Sequence, residues 1–173
     1  MTQFVLVAGA WLGSWAWRDV EPVLRAAGHG VHPLTLSGLA DKQEAAAGQR
    51  THVQDIVDEV ERLGLRDVVP VGRSYAGIPV GQAAERIGDR LARVVFVDSD
   101  VPADGASFVS DVPADDASFV SGWPDGRTAV EAAIAANGGF WPPPAAADCA
   151  DQGLGEEQFA RFLLDAAGTD ARR

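Results

Sequence analysis

Short apolar runs alternate with amphipathic stretches from Phe4 to Asp98. Phe4–Ala8 is apolar throughout and stops at Gly9, which predicts a buried parallel strand. Trp15–Ala27 has helical spacing, with Trp17, Val20, Val23 and Leu24 on one side, and stops at Gly28. Val31–Leu36 reads as a second strand, and Ala40–Arg50, small and polar, as a loop. Thr51-x-x-Gln54 is a capping box that predicts a helix from His52 to Leu63 with Ile56, Val57 and Val60 inward. Val68–Val71 is the third strand and Tyr75–Ile87 its helix, with Pro79 near the start, where a missing N–H costs least. Leu91–Val97 is the fourth strand. This rhythm predicts an α/β protein with a doubly wound, mostly parallel sheet over residues 1–98. In such sheets sites form at the carboxyl ends of the strands, where Gly9–Trp11, Ser37, Ser74 and Asp98 all fall.

Beyond Val97 no further strand is legible, and residues 99–173 read as a small helical cap belonging to the same domain. Ser99–Val109 is repeated at once as Ser110–Val120, with Gly105 against Asp116 as the one difference. Two copies do not make a solenoid, and the proline in each forbids one long helix, so an extended acidic excursion is expected. Thr128–Asn137 is an Ala-rich helix closed by Gly138-Gly139, Phe140–Pro144 a rigid aromatic stretch, and Glu156–Ala166 an amphipathic helix carrying Phe159, Phe162 and Leu163 on one face.

Composition narrows the chemistry. At 173 residues, 47% of them apolar, one domain with a real core is expected. A net charge of −11 speaks against nucleic acid or an anionic membrane as partner, since both need a basic face. Cys149 is the only cysteine, so no internal disulfide and no thiolate metal cluster is expected. No run approaches the ~20 apolar residues of a membrane span, and no leader is legible, so a cytoplasmic location is the default.

Val68-Val69-Pro70-Val71-Gly72-Arg73-Ser74-Tyr75-Ala76-Gly77 carries the chemistry. Gly72-x-Ser74-x-Ala76 is a near match to the G-x-S-x-G elbow, in which only small residues fit two positions either side of an exposed nucleophilic serine. Such a serine needs two backbone N–H groups aimed at a developing oxyanion, one from the residue after it and one from the loop after the first strand. Tyr75 and Ala10 (or Trp11) stand at those places. The competing reading of the first loop, a dinucleotide cradle, fails. Gly9 and Gly13 lack the G-x-G-x-x-G spacing, Trp11 and Trp15 crowd the phosphate position, and Ser37 replaces the acidic residue that would hold a ribose.

Phe4–Trp17, Thr51–Asp55, Gly72–Gly77 and Val95–Pro102 together resemble the α/β-hydrolase family. Within it they resemble the small esterase branch that includes plant methyl-salicylate esterases, hydroxynitrile lyases and bacterial relatives. The resemblance runs in register to about residue 105 and continues weakly through Trp141–Pro144, part of the family's cap. It implies a serine hydrolase acting on small carboxylic esters without cofactor or metal. Ser74 would be the nucleophile, Ala10 and Tyr75 the oxyanion donors, and Trp11 and Trp141 pocket walls. The family usually has His where this chain has Arg73, and often Gly at Ala76.

The larger departure is the base. The family's order is Ser, Asp, His, yet no His follows Ser74. His29 lies before the second strand, at the wrong end of the sheet, and His32 early within it. His52 sits in a Thr-His motif the family often has, which favours a structural role. Asp98 is the candidate acid at a strand end. The fold thus reads as C-terminally truncated, leaving an exposed sheet edge that predicts association, including with a second copy. The alternatives to an esterase are a catalytically impaired relative that binds a small apolar ligand or self-associates, and a truncated copy of a longer enzyme.

Overall fold

The computed structural model describes residues 1–42, 47–99, 132–133, 135–136 and 156–166. Four strands form one parallel sheet: β1 (Gln3–Val7), β2 (Gly30–Leu34), β3 (Val68–Arg73) and β4 (Val95–Val97), in the order β2-β1-β3-β4. Three helices connect them: α1 (Glu21–Ala26), α2 (Gln49–Arg62) and α3 (Gly77–Arg86). The expected α/β class and parallel sheet are what the chain adopts. Two compact units divide the chain, Met1–Pro102 with Phe162–Arg173, and Ala103–Arg161.

Strand alternation sorts the core onto two faces of the sheet. Val5 and Val7 of β1 and Val68 of β3 point to one face. There they meet Val53, Ile56, Val57 and Val60 of α2 and Val80 and Ala83 of α3. Leu6, Val31, Val69 and Val71 point to the other face and pack with Trp17 and Leu24. Pro70 lies in β3 between the isolated Val68–Leu91 bridge and the Val71–Val95 start of the β4 ladder, where its missing N–H costs no regular pairing.

Several boundaries differ from expectation. The stretch Trp15–Ala27 is not one helix: a 3-10 turn at Ser14–Trp17 precedes α1, which starts only at Glu21. Pro22, in the first turn of α1, has no N–H to donate backwards, so the two pieces cannot fuse. The break also splits the expected apolar face. Trp17 and Leu24 reach the core, while Val20 and Val23 are 40% and 67% exposed. The capping box does not form. α2 begins two residues before Thr51, with Gly48 as its N-cap and no side-chain cap. Gln54 instead donates to Asp58 and accepts from Arg86. The fourth strand is shorter than Leu91–Val97, since Leu91 makes only an isolated bridge to Val68. α3 starts at Gly77, after a 3-10 turn over Ser74–Ala76.

At the sheet edge, Phe96 and Val97 of β4 are 36% and 41% exposed. Residues 132–133 and 135–136 are helical, within the span where an Ala-rich helix is expected. A fourth helix, α4 (Glu156–Ala166), has Phe159, Phe162 and Leu163 half-buried and Leu164 exposed. The tandem repeat beyond Ser99, the Pro-rich stretch with Trp141, and Cys149 lie outside the described residues. Among the described residues no helix is long and apolar enough to cross a membrane.

Candidate active site

Parallel pairing in register brings the carboxyl ends of the strands together. Val7 of β1 lies opposite Gly72 of β3, and Arg73 lies opposite Val97 of β4. The next residues along each strand, Gly9–Trp11, Ser74 and Asp98, therefore meet at one edge of the sheet. Among the described residues, three of the five non-glycine residues with positive φ sit at these ends: Trp11 at 64°, Ser74 at 54° and Asp98 at 43°. Left-handed backbone at L-residues carries strain of about 1–2 kcal/mol each. Strain of this kind concentrates where a side chain must be aimed.

Ser74 is the apex. Arg73 is still extended at φ −106°, Ser74 turns left-handed, and the chain enters the 3-10 turn that opens α3. Gly72 makes the turn sterically feasible. A Cβ there would lie 2.8 Å from both the Ala76 carbonyl oxygen and the Gly77 Cα. Ala76 is fully buried, and its methyl is accommodated in the position where the family often has glycine. Gly9 brings the first loop against the apex, since a Cβ on it would lie 3.1 Å from the Ser74 Cβ and 3.5 Å from its Oγ. Ala10 and Trp11 follow immediately. Ala10, next to Gly9, and Tyr75, next to Ser74, thus stand on the two elements expected to supply oxyanion donors.

The end of β4 braces the apex from behind. The Ser74 N–H donates to the Asp98 carbonyl at 3.0 Å, and the Ser99 hydroxyl donates to the Ser74 carbonyl at 2.6 Å. Asp98 acts here through its backbone, and its side chain is exposed. Ser99 escaped the sequence reading because nothing local distinguishes it from the other serines of the acidic repeat. Its role exists only once β4 pairs with β3.

Beneath the turn lies a chain of four polar groups. The buried His52 ring bonds the Ser37 carbonyl through Nε2 at 2.8 Å and the Tyr75 hydroxyl through Nδ1 at 2.8 Å. A carbonyl only accepts, so Nε2 carries the proton and the Nδ1 lone pair accepts from the phenol. Asp55, three residues along the same helix, accepts the Ser37 N–H at 2.7 Å and its hydroxyl at 2.9 Å. Burial lowers the His52 pKa from its ordinary value of 6.5, outweighing the Ser37 carbonyl and the Asp55 charge, which raise it. Burial also pushes the Tyr75 hydroxyl up to about 12. Both groups are neutral near pH 7. The sequence signal for this chain was His52-x-x-Asp55, a spacing that puts both side chains on one helix face.

All three histidines of the chain are among the described residues, and none bonds Ser74. His32 bonds the Gln3 side chain at 2.9 Å, and His29 packs edge-on against Phe4 near the amino end of the sheet. Both nitrogens of His52 are committed elsewhere, in keeping with the structural role expected of it. Among the described residues no cluster of His, Cys, Asp and Glu is arranged to hold a metal ion.

The lowered His52 and His32 values have a consequence for stability. For both, burial is the first cause; Arg25 and Arg62 also lower His32, against Glu59. Each binds its proton less readily folded than unfolded, so the unfolded state gains protons first as pH falls below 6.5. Urea midpoints are expected to be flat above about pH 7 and to fall toward pH 5.5. The fall should shrink in His52→Asn. An undiminished fall in that variant would assign the pH dependence to other groups.

A parallel, doubly wound sheet that holds a serine in a left-handed turn between a central strand and the next helix defines the α/β-hydrolase class. The chain belongs to it: the profile of the Alpha/beta hydrolase family matches residues 4–172. Within that family it is similar to small esterases and their kin. A carbendazim-hydrolysing esterase of Nocardioides sp. (strain SG-4G) is 36% identical over 113 residues, which cover 64% of this chain and 47% of that protein. Salicylic acid-binding protein 2 of Nicotiana tabacum is 32% identical over 112 residues, covering 61% and 43%. (S)-Hydroxynitrile lyase of Manihot esculenta is 33% identical over 103 residues, covering 57% and 40%. The chain therefore spans less than half the length of these curated relatives. An extracellular α/β-hydrolase from a Paenibacillus species shares the fold with a TM-score of 0.79 at 21% identity, covering 95% of this chain and 66% of that one. Polyneuridine aldehyde esterase matches with a TM-score of 0.55 at 27% identity, covering 62% and 44%.

Proposed function

We propose that the chain carries the nucleophile and oxyanion half of an esterase site for small carboxylic esters. The observation that carries the reading is the Ser74 turn: φ of 54° at a non-glycine residue, made sterically feasible by Gly72 and approached by Gly9. Esterases among the relatives agree with it. In this reading Ser74 Oγ attacks the acyl carbon, the Ala10 and Tyr75 N–H groups hold the developing oxyanion, and the alkoxide leaves to give an acyl-serine that water hydrolyses. Each oxyanion donor contributes about 3–4 kcal/mol to lowering the barrier. Trp11, half-buried beside Ala10, forms a wall of the acyl site.

The missing part is the imidazole. Ser Oγ is a weak nucleophile at its own pKa and needs a base in hydrogen-bond reach. In this family's logic that base is a His that follows the Ser, and no His follows Ser74 in this sequence. Asp98, with its exposed carboxylate and no His bonded to it among the described residues, would serve only once such a His is supplied.

The test supplies the base in solution. With p-nitrophenyl acetate near pH 7 the chain alone is expected to turn over weakly. Added imidazole should produce a saturable acceleration with an initial burst of one nitrophenolate per chain as Ser74 is acylated. Ser74→Ala should show only the linear background of free imidazole. Equal progress curves for the two proteins would remove the nucleophile assignment and favour the reading of a small-ligand-binding relative.

A further inference from the structure

The polar chain Asp55–Ser37–His52–Tyr75 is a part-buried network that the ester chemistry above leaves unused. It ends on the residue whose backbone N–H that chemistry needs. We propose that His52 is a positioning residue for the elbow: its neutral ring holds the Tyr75 phenol and so sets the direction of the Tyr75 N–H at the oxyanion. The proposal rests on the reading of Ser74 and Tyr75 given above and deepens it.

The anchor end is rigid. Val53, Ile56, Val57 and Val60 bury one side of α2 in the core, which fixes the backbone that carries His52 and Asp55. Both carboxylate oxygens of Asp55 are bonded to Ser37, through its N–H and its hydroxyl. The Ser37 carbonyl is thereby held where it selects the Nε2–H tautomer of His52. That tautomer leaves Nδ1 as an acceptor and nothing else. The groups facing the ring are the Ser37 carbonyl from the loop after β2, Asp55 from α2 itself, and the Tyr75 phenol from the turn. Of these, only the phenol has a proton to offer Nδ1. The two rings also meet edge-on at 5.7 Å and 82°, so the contact fixes ring orientation as well as distance.

The held end is the part of the fold that most needs holding. The 3-10 turn Ser74–Ala76 has no side-chain cap, and its first residue is left-handed. An unsupported turn of this kind relaxes by rotating the peptide between Ser74 and Tyr75, the unit that carries the proposed oxyanion donor. The phenol tether opposes that rotation from one side, as the Asp98 carbonyl and the Ser99 hydroxyl oppose it from the other. The brace acts on the backbone of Ser74, the tether on the side chain of Tyr75.

Three variants dissect the tether. Tyr75→Phe removes the donor. His52→Gln keeps an N–H near the Nε2 position for Ser37 but offers nothing at Nδ1. His52→Asn places a side-chain carbonyl near Nδ1 and restores the acceptor. With p-nitrophenyl acetate and a fixed imidazole concentration, Tyr75→Phe and His52→Gln are each expected to lower kcat. The loss should be at least about tenfold, approaching the ~10²-fold cost of a 1 Å misplacement, with KM little changed. Their combination should fall no further than either alone, and His52→Asn should recover most of the loss relative to His52→Gln. Backbone amide resonances of Ser74 and Tyr75, read by NMR, should move in Tyr75→Phe and His52→Gln and return toward wild type in His52→Asn. Equal losses in His52→Gln and His52→Asn, or wild-type kcat in Tyr75→Phe, would overturn the positioning role. The Ser74→Ala comparison separates the two ideas. If it shows that turnover does not depend on Ser74, the esterase reading fails. The tether is then judged by the amide resonances, and unmoved resonances in Tyr75→Phe overturn it as well.

Discussion

Replacing Ser74 by glycine is expected to abolish the imidazole-dependent burst and at the same time to yield a more stable protein than Ser74→Ala. Both substitutions remove the hydroxyl, so both should leave only background hydrolysis. They differ in the backbone. Ser74 sits at φ 54°, and alanine inherits the strain of an L-residue there, about 1–2 kcal/mol. Glycine adopts that conformation freely but loses about 0.5–1 kcal/mol more backbone entropy on folding. The balance favours glycine over alanine by about 1 kcal/mol, which for a chain of this size is a rise of about 2–4 °C in Tm. Thermal unfolding of the two variants side by side measures it. A glycine variant no more stable than the alanine one would mean that the strain in the turn does not exceed the entropic cost of glycine, and would weaken the argument that its shape exists to aim a side chain.

Gly72→Ala is expected to have the largest effect on the fold. The added Cβ would lie 2.8 Å from the Ala76 carbonyl oxygen and the Gly77 Cα, and 2.9 Å from the Ala76 carbonyl carbon. All three are backbone atoms, so no flexible side chain can move aside. They belong to the elbow and the first residue of α3, while Gly72 itself pairs with Val7 on one side and Phe96 on the other. The strand is held by two neighbours and α3 by the core, so relief requires the elbow itself to open. Overpacking of this kind costs about 1–3 kcal/mol, and the backbone nature of the clash puts it at the upper end. The variant should lose several degrees of Tm and, through the displaced Ser74 and Tyr75, the burst as well. Retention of the burst would show that the elbow tolerates a wider turn than its geometry implies.

The contrast between these two positions shows what could be read from residue order. At Gly72 the requirement is local: a strand must turn into a helix within three residues, and the spacing of small residues around Ser74 announces it. The same holds for the buried runs of β1 and β3, whose continuous apolar character marks central parallel strands. Helix boundaries were less legible. Thr51 and Gln54 offered a capping box, yet the chain began α2 earlier, because Gln54 found partners in Asp58 and Arg86 on neighbouring turns of α2 and α3. The apolar repeat across Trp15–Ala27 looked continuous, but Pro22 cut it, and the resulting change of direction left Val20 and Val23 in solvent.

For the site, the sequence by itself determined the nucleophile candidate, the small residues that make its turn feasible, the class of fold, and the lack of any histidine after Ser74. Each of these follows from residue type and short-range spacing, which steric rules translate directly. Only the tertiary structure decided what holds the turn. The approach of Gly9 to Ser74, the Asp98–Ser99 brace and the path from Asp55 to Tyr75 join residues 15 to 65 positions apart. No local pattern encodes such pairings. They arise because parallel strands in register bring their carboxyl ends to one edge, and because α2 packs on the sheet face that turns His52 and Asp55 toward that edge.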